Sequence, residues 1–476
     1  MESCSAFSAE SRCDRLDTEV FLREISVTLR AALALTLLTS ACGDDPRPNV
    51  LLYVADTLRA DDLACYGNPL IETPHVDRLA AEGSLFENAY AQSSWTRTSM
   101  ASLLTSTYPA VHGVEGRMEA LAEEMRVLPE MLSEAGYTTA AITGNPNIGS
   151  AFGFRQGFDE FFELYERRDA GRVRVGEFVT TADRVSEVAI EWIDRASEPF
   201  FLLVLSIDPH SPYEPPPEFD RFGGDYQGSA SGKPEFINRL DLSRQDKQRI
   251  RALHYGEVAF NDHAFGKLVD DLEARGLYDR TAVIFVSDHG EEFWEHGGRG
   301  HGKTLFEEVV HVPLILRLPG RVAAGERVAR PVELVDVVPT VLEFSDLPIP
   351  ADIQGISLLA LPAAQRLIQS RLVLDGTEIN AVRLGPNKLI EEARGSSKLF
   401  DLGRDPGEKE SVSEGFGEQR RALERMLVKS RQDNEILRVR LRGSSAPVSV
   451  RPDDLSPEVV RELERLGYIE TEKDGG

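Results

Sequence analysis

Four runs along the chain are apolar without interruption and stop at a polar residue: NVLLYVAD at Asp56, YTTAAITGN at Asn145, EPFFLLVLSID at Asp208 and TAVIFVSD at Asp288. A strand with one wet face alternates apolar and polar positions, whereas a strand buried on both faces does not. These runs therefore predict a mostly parallel sheet covered by helices. Between them the apolar spacing becomes helical. Residues 182–196 place Val185, Val188, Ala189, Trp192 and Ile193 on one stripe, and residues 244–276 predict a longer helix ending in Arg275-Gly276. Strands alternating with helices give an α/β, doubly wound domain. In such a sheet ligands sit beyond the carboxyl ends of the strands, which is where Asp56, Asn145, Asp208 and Asp288 fall.

The pattern changes after about residue 355. Short strand-like pieces, RLVLDG and INAVRLGPNKLIEE, precede the loop DLGRDPGEKE, so a smaller α+β subdomain is expected over 356–443, after a catalytic domain over 48–355. In the tail, 444–476, the stretch SPEVVRELERLGYIE has Ser456 as N-cap and Pro457 at the first helical position. Val459, Val460, Leu463 and Leu466 follow at helical spacing, and Gly467 is the C-cap; a docking helix is expected.

Composition narrows the partners. A formal charge of −26 over 476 residues excludes a nucleic-acid partner, which needs a basic face to displace counterions. An anionic substrate would need a local positive site to overcome that field. At the amino terminus, Arg30 is followed by AALALTLLTS and then Ala41-Cys42-Gly43, a run too short to span a bilayer but shaped like a signal peptide. Cys42 resembles the lipidated cysteine of a bacterial lipoprotein, with translation starting near Val27 and plain secretion as the alternative. Residues 1–47 are thus a leader, anchor and linker. The expectation is export to the periplasm or cell envelope, with peripheral membrane anchoring through Cys42. Cys65 is then left alone, and no internal disulfide is expected.

The chemistry concentrates in SDHGEEFWEHGGRGHGK, residues 287–303. An Asp-His pair is most often structural. Here, however, Asp288 and His289 close one buried strand and Asp56 closes another, a donor set suited to a divalent cation. His301 and Lys303 follow on a glycine-rich loop able to fold back over that site. Within SSWTRTSMASLLTSTYP, Thr96 begins a helix; a cation and the helix start would together activate its hydroxyl as a nucleophile. The alternative is that Thr96, Thr98 or Ser99 merely caps that helix. His210, in SIDPHSPYEPP, joins His301 and Lys303 in an expected cationic rim that would recognise an anion and protonate its leaving oxygen. His112, His254, His263 and His296 carry no expected role.

These segments resemble the sulfatase family of the alkaline phosphatase superfamily. The resemblance runs from Pro48 to about Asp405 through PNVLLYVADTLRADDLACYGN, TPHVDRLAAEGSLFENAYA, LLTSTYPAVHGV, SDHGEE and GHGKTLFEEVVHVPLI. It implies the doubly wound fold with a smaller carboxy-terminal sheet. It also implies a divalent metal (Ca, Mn, Zn or Mg) on Asp56, Asp288 and His289, an anion-binding Lys303, and a substrate-facing His210. Asn145 and Arg97 are further candidates for substrate binding. Two departures stand out. Thr57 replaces the usual second acid, so that ligand is missing or becomes a hydroxyl. Thr96 stands where the family carries the Cys or Ser that becomes formylglycine, and threonine cannot be so oxidised. An unmodified threonine is similar to the nucleophile of nucleotide phosphodiesterases, phosphoethanolamine transferases and lipoteichoic acid synthase. The resemblance thus implies a metal-dependent hydrolase of sulfate or phosphate esters, small or linked to a glycan or lipid, with phosphorus favoured. A transferase to a glycan or lipid alcohol and an inactive binding protein are the alternatives.

Overall fold

The computed structural model describes residues 47–469, apart from 166–167, 170–171, 174–180, 363, 393–394 and 413–414. The expected leader, with Cys42, lies outside the described residues. The uninterrupted apolar runs form the centre of an eight-stranded sheet. Its strands are β1 (Asn49–Ala55), β2 (Ser84–Phe86), β3 (Thr138–Thr143), β4 (Glu160–Glu163), β5 (Phe200–Ser206), β6 (Thr281–Val286), β7 (Leu314–Arg317) and β8 (Glu326–Val328). They lie in the order β8-β2-β7-β6-β1-β5-β3-β4. The run from β6 through β1, β5 and β3 to β4 is parallel throughout, and β7 is antiparallel to both β6 and β2.

Alternate side chains of β1 enter two separate cores, which is why the strand shows no polar positions. Val50, Leu52 and Val54 pack with helices α2 (Thr96–Thr105) and α5 (Val337–Phe344). Leu51, Tyr53 and Ala55 pack on the opposite face with α1 (Pro74–Glu82), α3 (Ala182–Ile193) and α4 (Arg244–Ala274). The Ser243 Oγ accepts from the Asp246 N–H and starts α4 with a reciprocal cap.

Register then sets the site. Val54 pairs with Val286 on one side and with Leu205 on the other, and Leu205 pairs with Thr143. Asp56, Asp288 and Asn145 each follow a member of that row by two residues, and Asp208 follows by three, so all four polar groups leave the sheet at one level.

The carboxy-terminal strands β9 (Ile368–Leu374), β10 (Thr377–Leu384), β11 (Asn387–Glu392) and β12 (Ser397–Asp401) form an antiparallel meander. Strand β9 alternates buried and half-buried positions, as expected of a sheet with two unlike faces. Helix α6 (Gly417–Arg442) covers this sheet with Leu423 and Leu427. The tail helix α7 (Pro457–Arg465) docks onto its own domain: Val459 and Leu463 join the core beside α2 and α5. Leu463 is fully buried, so truncating it to Ala would cost about 2–5 kcal/mol.

Candidate active site

Thr96 is the first residue of α2, with Trp95 in the cap position and no side-chain cap bond. The hydroxyl faces the sheet instead, 3.1 Å from His289 Nε2. His289 Nδ1 donates to the Gly290 carbonyl at 2.9 Å, which leaves Nε2 facing the Thr96 hydroxyl and, at 3.4 Å, Asp288 Oδ2. Ser99, one turn on, ties α2 to the same strand end by donating to the Asp288 carbonyl at 2.6 Å.

Asp56, Asp288 and His289 are fully buried, and each offers one ligand atom within 4.8 Å of the others. Asp56 Oδ1, Thr57 Oγ1 and Asp288 Oδ2 are buried with no hydrogen-bond partner. Buried polar atoms are normally paired, and two buried carboxylates facing each other need a counter-charge. Burial, and then the charge of Asp288, push the Asp56 carboxyl well above its usual range, against the opposing Asn145 N–H. An oxygen-rich set with one imidazole fits a divalent cation.

Thr57 has φ +59°, a left-handed conformation costly for a β-branched residue. It is held there by its N–H donating to Asp288 Oδ1 at 3.1 Å, and by the Leu58 N–H donating to Ser287 Oγ at 2.9 Å. The strained turn ties the end of β1 to the end of β6.

The glycine-rich loop folds back against the residues that precede α2. Gly302, at φ +70°, donates its N–H to the Ser94 carbonyl, and a Cβ there would lie 2.9 Å from the Trp95 ring. This brings His301 to 4.6 Å from His289 and 5.1 Å from His210, between ring centres. His301 Nδ1 donates to Glu291 Oε1 at 3.2 Å, and Tyr213 donates to Oε2 of the same carboxylate at 3.2 Å.

Three expectations need correction. The rim is not a cluster of three cations: burial, then His301, pull His210 down to about 3, and burial, then His289, hold His301 well below its usual value. Both rings are neutral at pH 7. Lys303 is exposed, with its ammonium donating to the Arg299 carbonyl at 2.9 Å, and it lines the approach rather than the centre. Arg97 turns away from the site altogether. Its guanidinium lies 3.3 Å from the Phe152 ring centre and donates to Asn147 and to the Arg117 carbonyl. Asn145 does reach the centre, but its amide hydrogens go to Asp56 Oδ2 at 2.5 Å and to the Tyr468 hydroxyl at 2.9 Å.

Tyr468 and Glu291 were not anticipated. Glu291 lies within the SDHGEE motif; for Tyr468 the only signal was an aromatic with a polar tip directly after a C-cap glycine. A cavity of about 200 Å³ is lined by Trp95, Tyr213, Glu291, His301, Lys303 and Tyr468 among others. Thr96 itself is fully buried.

The chain matches the Sulfatase family over residues 48–347. It is 26 % identical over 459 residues to an arylsulfatase of Clostridium perfringens, covering 82 % of this chain and 95 % of that one. Among solved structures, one in complex with its substrate D-glucosamine-2-N,6-O-disulfate superposes with a TM-score of 0.71 at 22 % identity, covering 82 % of this chain and 98 % of that one. The phosphonate monoester hydrolase of Agrobacterium radiobacter superposes with a TM-score of 0.69 at 23 % identity, covering 85 % and 100 %.

Proposed function

Because the chain belongs to the sulfatase family of ester hydrolases, we propose that it cleaves an anionic ester by attack of Thr96, with phosphoesters favoured over sulfate esters. The observation that carries this reading is the Thr96 hydroxyl, which is not used as a helix cap and lies 3.1 Å from His289 Nε2, in a site where Asp56 Oδ1, Thr57 Oγ1 and Asp288 Oδ2 have no partner.

The preference for phosphorus follows from the side chain. A threonine β-carbon already bears a methyl group, so Thr96 cannot become an aldehyde whose hydrate would release a bound anion by collapsing. An ester formed on Thr96 must instead be opened by water at the phosphorus or sulfur, as in a covalent two-step hydrolysis.

Asp56, Asp288 and His289, with Thr57 beside them, would hold a divalent cation (Ca, Mn, Zn or Mg), which would offset the carboxylate charge, favour the Thr96 alkoxide and polarise a substrate oxygen. With its Nδ1 proton on the Gly290 carbonyl, a neutral His289 would have one lone pair, on Nε2, to serve either as a ligand or as the acceptor of the Thr96 proton. The α2 amino terminus directs backbone N–H groups at the attacked group. His210 and His301 are neutral and hydrogen-bonded, and therefore shape the site more than they charge it, while Lys303 offers a positive charge on the way in.

The arylsulfatase relative and the neighbour bound to a sulfated sugar support an anionic substrate, small or glycan- or lipid-linked, approaching through the aromatic-lined cavity. Residues 30–43 support export to the cell envelope with anchoring at Cys42.

The test is a panel of 4-nitrophenyl phosphate, bis(4-nitrophenyl) phosphate, 4-nitrophenyl phenylphosphonate and 4-nitrophenyl sulfate, each with Mn, Zn, Ca and Mg. Turnover of the phosphorus esters is expected to exceed that of the sulfate, and Thr96→Ala should lower it by about 10³-fold or more. Full turnover by Thr96→Ala on every accepted ester would refute the nucleophile.

A further inference from the structure

The residues after α7 enter the site, and the chemistry above makes no use of them. Ser456 Oγ accepts from the Val459 N–H at 3.2 Å and starts α7, which Val459 and Leu463 seat in the core. Gly467, at φ +77°, then turns the chain inward. Tyr468 is 2 % exposed, with its ring edge-on to Trp95 at 5.2 Å between centres and 5.3 Å from the His210 ring. It stands beside Thr96.

The direction of the bonds that its hydroxyl makes with Asn145 and His210 is fixed by the neighbours. The Asn147 N–H donates to Asn145 Oδ1 at 2.9 Å, so the other side of that amide is the NH2 group, which donates to Asp56 Oδ2 and to Tyr468. His210 Nδ1 faces the Ser211 carbonyl at 2.5 Å and must carry the proton. Nε2 is left as the acceptor, and the Tyr468 O–H donates to it at 2.9 Å. One line of hydrogen bonds therefore joins Asp56, Asn145, Tyr468, His210 and the Ser211 carbonyl, with every donor and acceptor assigned.

We infer that Tyr468 is a positioning residue of the active site. It holds the His210 ring in place by donating to Nε2 and, through Asn145, fixes the carboxylate of Asp56. The carboxy-terminal helix is thereby a working part of the site rather than a surface attachment. The catalytic consequence rests on the Thr96 reading, whereas the positional claim does not. Removing the hydroxyl leaves an Asn145 hydrogen and the His210 lone pair unmatched in a buried place, while the ring and its packing remain.

The experiment is Tyr468→Phe in the full chain, with protein carrying ¹⁵N at its nine histidines and His210→Gln used to assign the His210 signals. The expected result is a change in the His210 ring resonances, with other histidines largely unmoved. On bis(4-nitrophenyl) phosphate, kcat should fall about tenfold with KM within about twofold, and the double variant should be no slower than His210→Gln alone. Unchanged His210 resonances would overturn the positional claim even if the wild type turned over nothing in the panel. Undiminished or raised kcat, or additive effects in the double variant, would overturn the catalytic role.

Discussion

The buried cluster of Asp56, Asp288 and His289 can be tested without any substrate, by thermal unfolding with and without a divalent cation. A cation that binds only the folded chain at a hundredfold excess over its Kd adds about 2.7 kcal/mol. About 400 residues are described, and at roughly 2.1 cal/mol/K each the unfolding entropy is about 0.85 kcal/mol per degree. The expected rise in Tm is therefore about 3 °C. Asp288→Asn should abolish this rise and shift the starting point the other way. Two unit charges no farther apart than 4.8 Å, the limit within which the ligand atoms lie, repel by about 3.5 kcal/mol or more at an effective dielectric of about 20. Protonation of Asp56, which burial and Asp288 favour, relieves part of that repulsion. The chelator-treated Asp288→Asn protein should thus melt above the chelator-treated wild type, by about 4 °C when about 3.5 kcal/mol of repulsion is left to relieve. Scanning fluorimetry with EDTA and then each of Ca, Mg, Mn and Zn gives both readings. If none of the four cations moves the wild type, or if Asp288→Asn responds as the wild type does, the cluster does not hold a metal.

Two further outcomes follow from other residues. Thr57→Asp puts a carboxylate where an unpartnered hydroxyl stands, on a backbone that Asp tolerates better than Thr; cation affinity by titration calorimetry should tighten about tenfold or more, and weaker binding would exclude Thr57 from the donor set. Asp62 is fully buried: burial alone would raise its carboxyl, but Arg251, His254 and Arg59 outweigh that and hold it well below the usual range. A depressed folded-state value means its stabilisation is present above the unfolded pKa near 4 and is lost as pH falls. Asp62→Asn should therefore cost about 3 kcal/mol in urea unfolding at pH 7, the difference from wild type narrowing below about pH 4; a constant difference down to pH 2.5 would contradict the assigned ion pairs.

What could be read in advance was whatever a single strand or helix carries in its own sequence. The four apolar runs specify both-face burial, and a strand's end marks where its ligand-facing residue falls, so the level at which Asp56, Asn145 and Asp288 leave the sheet is legible in the sequence. The helix start at Thr96 is legible as well, because it is a local feature. Properties created by neighbours distant in sequence were misread. His210 and His301 look like cations in isolation, but they sit buried beside His289 and one another, which holds them neutral. Arg97 is adjacent to Thr96 in sequence, yet successive helical side chains point about 100° apart, and its partners at Asn147 and Phe152 come from another segment. Tyr468 lay in a tail whose helical pattern was plain, while its destination depended on a turn at Gly467 and a fold not yet assembled.

That destination also bears on when the protein becomes competent. Tyr468 meets His210 across 258 positions and Asn145 across 323. A ribosome adding roughly 5–20 residues each second emits His210 roughly 13–50 s before its partner. The central sheet and the cluster at its edge are complete in sequence well before Tyr468 emerges. During that interval the growing chain carries the whole donor set in its sequence but not the tyrosine that faces it, and a nick or fusion that keeps α7 from seating would leave the full chain without Tyr468 in the site.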